Sequence, residues 1–230
     1  MNCTMYVFRH AETFDNSRSI FSGWRDTVLT PRGLSQAQEV AEQLRQCRID
    51  YAFSSHLRRA RQTLKIVLRG HGDIPVFVDD RIIERCYGLM QGRTKTAVEK
   101  EDPTFYGECH RGYSVAPPEG ESLQMVEKRV LPFLSDLTEW LKQKPGNVAV
   151  SCHSNSIRPL RRVFENLTLA QMCKIESPQN QALIYKLDLE CRDLFRPKAE
   201  EAKVKWNGPV VSKCIRLATD KNNPLKKYYS

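Results

Sequence analysis

Apolar residues along this chain fall into two alternating periods. Short runs rich in β-branched and aromatic residues occur at Thr4–Phe8, Tyr51–Ser54, Val76–Val78, Asn147–Ser151 and Ala182–Leu187, each about the length of one strand. Between them the spacing changes to three and four. Thr30-Pro31 reads as a helix start, a hydroxyl cap followed by a proline at the first helical position. Leu34, Ala37, Val40, Ala41 and Leu44 then follow on one predicted face. Leu57–Leu68 is a second predicted helix, strongly basic on one side. Ser122–Lys142 is a long one in which Leu123, Val126, Val130, Phe133, Leu134, Leu137 and Leu141 share a face. Its Pro132 is expected to kink or interrupt it. Ser156–Phe164 is a further helix carrying arginines.

Strands alternating with helices predict an α/β fold: a three-layer sandwich with a mostly parallel central sheet and helices on both faces. One domain is expected over residues 1–230, with an insertion or appendage at about 190–220, because Asp193–Asp220 keeps no period and contains Pro197 and Asn207-Gly208-Pro209. In such sheets ligands bind beyond the carboxyl ends of the strands. The first strand ends at Arg9-His10, the second leads through Ser54 to Arg58-Arg59, and the fourth ends at Cys152-His153. Two imidazoles and an arginine pair are therefore expected on one rim. A lone histidine at a strand end is more often structural than catalytic, and an arginine pair on a helix is usually a solvated face. The convergence carries the argument.

Charge and cysteine content narrow the chemistry. The net charge is +9, with eleven Lys and Arg against six Asp and Glu from Lys186 to Ser230. Such a balance suits an anionic partner, whether a phosphorylated metabolite, RNA or a membrane surface, and equally a solvated basic face. Trp206, Tyr228 and Tyr229 are too sparse to stack bases, which argues against nucleic acid. No stretch approaches the ~20 apolar residues of a membrane helix, and Met5–Phe8 is too short for a signal peptide. The eight cysteines, with no CxxC pair, are expected to be reduced thiols in a cytoplasmic protein. Their spacing offers no zinc site, so no metal is expected.

Phosphoryl transfer through a protein nucleophile needs an aligned nucleophile, positive donors around the equatorial oxygens and an acid for the leaving oxygen. His10 suits the first task, since neutral imidazole attacks without activation. Arg9, Arg59 and His153 suit the second. Glu84 is the best acid.

The motifs around these residues resemble a known family. Arg9-His10-Ala11-Glu12-Thr13 is similar to the signature of the histidine phosphatase superfamily. Further blocks resemble its branch of 2,3-bisphosphoglycerate-dependent phosphoglycerate mutases: Phe21-Ser22-Gly23-Trp24, Leu29–Gly33, Ser54–Ala60, Glu84–Gly88 with Gln91-Gly92, Arg111-Gly112, Pro117–Leu123, His153–Arg158 and Pro224–Tyr229. The resemblance covers about four-fifths of the chain, in order. It implies a phosphoglycerate mutase-like fold and a phosphohistidine on His10. Arg9, Arg59 and His153 would hold the transferring phosphate, Asn16, Ser22, Gly23 and Asn155 would line the pocket, and Glu84 would pass the proton. Tyr87, Lys95 and Arg111 would bind the substrate's carboxylate or second phosphate, with His110 where mutases carry another arginine.

Interconversion of 3- and 2-phosphoglycerate, in glycolysis and gluconeogenesis, is the activity this implies. It would be primed by 2,3-bisphosphoglycerate, with a small phosphorylated metabolite as partner. A histidine phosphatase hydrolysing a small phosphomonoester is the alternative, and a non-catalytic binding protein on the same fold the third reading. Homo-oligomerisation is left open. Four departures bear on these expectations. Cys86 replaces a histidine, His110 replaces an arginine, and Ala11 and Ser154 replace glycines and are expected to narrow the pocket.

Overall fold

A computed structural model describes residues 2–189. The expected appendage at about 190–220 and the Pro224–Tyr229 block lie outside the described residues. The central sheet has five strands: β1 (Asn2–Arg9), β2 (Tyr51–Ser54), β3 (Val76–Val78), β4 (Val148–Cys152) and β5 (Ala182–Asp188). Their order is β3-β2-β4-β1-β5. The first four are parallel, and β5 runs antiparallel to β1 at the edge. The helices around it are α1 (Phe14–Ser17), α2 (Pro31–Leu44), α3 (Arg58–Val67), α4 (Lys95–Glu101), α5 (Pro103–Arg111), α6 (Leu123–Gln143), α7 (Ser154–Phe164) and α8 (Leu169–Lys174). None of the described helices is long and apolar enough to cross a membrane.

The period of two in β1 shows why there are three layers, because successive side chains of a strand point to opposite faces. Met5 and Val7 join Phe53, Val148 and Val150 against Val130, Phe133, Leu137 and Trp140 of α6 and Ile157 and Leu160 of α7. Tyr6 and Phe8 go the other way, with Ala52 and Ala149, onto Val40 and Leu44 of α2 and Leu64 and Val67 of α3.

Three expectations shift. Leu34 is exposed, because Gly33, Ala37, Val40 and Leu44 form the inward stripe of α2. Pro132 does not interrupt α6, which continues from Leu123 to Gln143. The proline lies on the exposed side, where water can take the carbonyl that loses its helical donor. Helix α7 begins at Ser154 rather than Ser156. Helices α1, α4, α5 and α8 are too short for a clear period, and their capping residues mark them instead. Thr13, Thr94, Asp102 and Thr168 each accept a backbone N–H of the first turn.

Phe133 is fully buried, with its ring edge-on to Phe53 at 6.2 Å between centroids. Phe133→Ala should cost about 3–5 kcal/mol in denaturant unfolding, the usual loss for a buried phenylalanine.

Candidate active site

The parallel register of β1 and β4 pairs Arg9 with Cys152. The His10 N–H extends the ladder to the Cys152 carbonyl at 2.9 Å. His10 and His153, the next residue on each chain, therefore lie side by side, with ring centroids 5.1 Å apart. Both are buried. The two imidazoles expected on one rim meet there with Arg59, whereas Arg58 is exposed and lines a separate groove beside α3.

The tautomer of each ring follows from its neighbours. His10 Nδ1 lies 2.8 Å from the Ala11 carbonyl. A carbonyl only accepts, so Nδ1 carries the proton and Nε2 keeps its lone pair. Arg59 Nε donates to that lone pair at 3.2 Å. His153 Nε2 lies 2.7 Å from Ser55 Oγ, which accepts the Leu57 N–H at 3.4 Å. The Ser55 hydroxyl can then donate to Nε2, leaving the His153 proton on Nδ1. That atom is buried without a protein partner, as are Arg9 Nε and Ser22 Oγ.

Burial, and then the charges of Arg59 and Arg9, hold His10 well below an ordinary histidine pKa. Burial also leads for His153, followed by Arg59 and His10. Both rings are neutral at physiological pH. Burial pushes Arg59 down to about 10, still a cation.

Arg59 is fixed from the loop after α1. Its Nη2 donates to the Gly23 carbonyl at 2.7 Å and its Nη1 to that of Arg25 at 2.9 Å. That loop leans on the turn after Glu84. Gly92 N–H donates to the Phe21 carbonyl, Phe21 N–H to that of Arg93, and Trp24 N–H to Gln91 Oε1. Gly23 has φ +51, and a Cβ there would sit 2.0 Å from Gln91 Oε1, so only glycine fits.

Glu84 is buried beside the rings. One oxygen, Oε1, accepts three N–H donors: Arg85 N at 2.8 Å, Asn155 Nδ2 at 2.9 Å and Asn155 N at 3.1 Å. Among the described residues no such set of donors holds Oε2. Asn155 Nδ2 also donates to the Tyr87 hydroxyl at 3.1 Å, so acid and phenol are oriented together.

These side chains line a cavity of about 150 Å³. Of the residues expected from sequence it holds Arg9, His10, Asn16, Ser22, Gly23, Arg59, Glu84, Tyr87, Lys95, His110 and Asn155. His153 is not among the lining residues, although its ring lies 5.1 Å from that of His10, and Arg111 ends α5. His110 packs edge-on to Phe21, ring centroids 5.8 Å apart. Ser154 lines the cavity as expected. Ala11 does not narrow it; its methyl is buried with Leu29, Ala37 and Ile66 under the helices. Sequence reasoning missed Phe21, Glu176, Ser55 and Arg158. Ser55 and Arg158 lie within the Ser54–Ala60 and His153–Arg158 blocks but were given no role there, and nothing near Glu176 signals a site. A larger groove of about 1170 Å³ beside α3 and β3 holds none of the cavity residues above.

Ligand atoms of His10, Glu84 and His153 lie within 4.8 Å of one another. Two imidazoles and a carboxylate are a plausible metal set. Arg9 and Arg59 line the same cavity, however, and their charges favour an anion there. The unpartnered donors point the same way.

The sequence profile of the histidine phosphatase superfamily, branch 1, matches residues 5–193. Fold and sequence together define an enzyme of this class: the chain belongs to the histidine phosphatase superfamily. It is 32% identical over 189 residues to a 2,3-bisphosphoglycerate-dependent phosphoglycerate mutase of Parvibaculum lavamentivorans, covering 80% of this chain and 90% of that one. It is 34% identical over 189 residues to the phosphoglycerate mutase of Schizosaccharomyces pombe, with the same coverage. Among solved structures it resembles a mycobacterial glucosyl-3-phosphoglycerate phosphatase, with TM-score 0.68 and 26% identity over 81% of this chain and 90% of that one.

The buried neutral rings have a consequence for stability. The unfolded chain protonates its histidines near pH 6.5, whereas the folded site resists until lower pH. Stability should therefore fall as the pH drops below about 6.5, by about 1.4 kcal/mol per pH unit for each ring. Urea unfolding of wild type and of His10→Gln/His153→Gln at a series of pH values checks this. The double variant should show the shallower dependence.

Proposed function

We propose that this chain is a phosphoglycerate mutase that moves phosphate between the 3- and 2-positions of phosphoglycerate through a phosphohistidine on His10. The observation that carries the reading is that the cavity holding His10 and Glu84 is lined also by Lys95, Tyr87 and His110. A phosphatase needs only the first half; a mutase must also hold a second anion while its intermediate turns over.

The His10 Nε2 lone pair attacks phosphorus in line. Arg9, Arg59, the His153 Nδ1–H, Asn16 and Ser22 donate to the equatorial oxygens, where negative charge is spread in the transition state. Glu84 gives its proton to the leaving substrate oxygen. In the reverse transfer it takes the proton from the attacking hydroxyl, so the chain returns to its starting state. Lys95, Tyr87, His110 and Arg111 hold the carboxylate or the second phosphate, with Asn155 orienting Tyr87 and Glu84. The residues at the cavity suit the primer: Arg9, Arg59 and Lys95 supply cationic charge, and three buried polar atoms await a ligand. When bound, 2,3-bisphosphoglycerate supplies the phosphoryl group that charges His10. We place the enzyme in the cytoplasm, in the glycolytic and gluconeogenic step at this level of the pathway.

The second reading is hydrolysis, with water in place of the second hydroxyl and Glu84 as its base. The likeness to the mycobacterial phosphatase favours it, as does His110, which carries a full positive charge only when protonated.

Supplied with 3-phosphoglycerate and catalytic 2,3-bisphosphoglycerate, the enzyme should form 2-phosphoglycerate with little phosphate release, and faster with the primer than without. Phosphate release without 2-phosphoglycerate would assign the phosphatase. His10→Ala should abolish both turnover and acid-labile phosphate labelling, while Glu84→Gln should retain labelling and slow turnover by ~10²–10⁴-fold.

A further inference from the structure

We propose that Gln179, on the connection between α8 and β5, is a positioning residue that aims the amide of Asn16 at the phosphoryl group. The inference rests on the cavity around His10 being a phosphate site. It goes beyond that reading by bringing into the site a segment with no catalytic motif.

The connection reaches the cavity because of the sheet. Strand β5 pairs antiparallel with β1 in a register that sets Ala182 against Phe8. The residues just before Ala182 must then pass over the end of β1, where Arg9 and His10 stand. Arg9 Nη1 donates to the Ser177 carbonyl at 3.4 Å. Gln179 Nε2 donates to the His10 carbonyl at 3.3 Å and to Asn16 Oδ1 at 3.0 Å. One side chain thus ties the peptide of His10 to a pocket-lining amide of α1.

The bond to Asn16 decides which way that amide faces. Its Oδ1 also accepts the Thr13 N–H at 3.2 Å, in the reciprocal cap that starts α1. The oxygen is thereby held by two N–H donors from the protein side. The NH₂ group of the same amide is left to the cavity, which Asn16 lines. An asparagine turned this way offers donors to a phosphate oxygen; turned over, it would offer an acceptor and repel it. Because the Gln179 amide donates to two carbonyl-type oxygens, its own orientation is fixed by chemistry. A glutamate could not replace it, since a carboxylate would face two acceptors.

The test is equilibrium binding of inorganic vanadate to the full chain, followed by displacement with inorganic phosphate. Gln179→Met, uncharged and of similar length, should weaken vanadate by roughly three- to tenfold, less than the whole of a charge-assisted hydrogen bond because the Thr13 N–H still holds Asn16. Gln179→Glu should weaken it more, since it drives Asn16 to turn over. In an Asn16→Ala background, Gln179→Met should have little further effect, so that the two losses are not additive. In turnover the loss should fall on phosphohistidine formation, with KM for the phosphoglycerate nearly unchanged. Additive losses, or wild-type vanadate affinity in Gln179→Met and Gln179→Glu, would overturn the assignment while leaving the phosphate site intact. Failure of the wild type to bind vanadate would overturn both.

Discussion

The parallel pairing of β1 with β4 is the constraint on which the rest depends. It fixes Arg9 opposite Cys152, and the backbone bond from His10 to the Cys152 carbonyl carries the pairing one residue further. A slip of one residue would send every core side chain of β1 to the wrong face. Met5 and Val7 are held against α6, and Tyr6 and Phe8 against α2 and α3. The cost of disrupting that packing is what keeps two imidazoles within reach of one ligand. The site is thus set by the hydrophobic core and not by its own hydrogen bonds.

The electrostatics follow from the same burial. Imidazoles removed from water beside guanidinium groups stay neutral, which preserves a lone pair on His10 Nε2 and a donor on His153 Nδ1. Arginines withstand the same burial because their ordinary pKa is so high, so the site is positive while His10 is uncharged. In the proposed reading a phosphate would supply the missing negative charge and pair with the donors Arg9 Nε and His153 Nδ1, which have no hydrogen-bond partner among the described residues. Glu84 is anchored by three donors on Oε1, an arrangement that fixes its direction and leaves Oε2 outside that set.

The departures from the mutase pattern differ in consequence once their surroundings are known. Ala11 is harmless to the cavity, for its methyl fills space beneath α2 and α3. Ser154 does face the ligand space. Cys86 is a buried free thiol near Gln91 Oε1 and the Glu119 carbonyl, 3.8 Å from each. His110 changes the chemistry most. It sits in an aromatic wall with Phe21 and Tyr106, so this end of the cavity is flatter and less firmly cationic than one built with arginine. That difference bears directly on whether a second anion is retained.

The sequence alone determined the sheet, its alternation with helices, and the placing of Arg9, His10, Arg59 and His153 at strand and helix ends, because hydrophobic period and strand termini are local properties. Motif likeness extended this to Glu84, Tyr87, Lys95 and Asn155. The tertiary structure decided what no local pattern encodes: the proton positions on the rings, the three donors on one oxygen of Glu84, and the entry of Ser55, Arg158, Glu176 and Gln179. Arg158 and Glu176 line the cavity, Ser55 meets the ring of His153, and Gln179 meets His10 and Asn16; no hydrophobic period of their own stretches of chain brings the four to the site. Sheet pairing and helix packing bring them there from segments up to 169 residues away from His10, and hydrogen bonds across such separations exist only once the chain has folded.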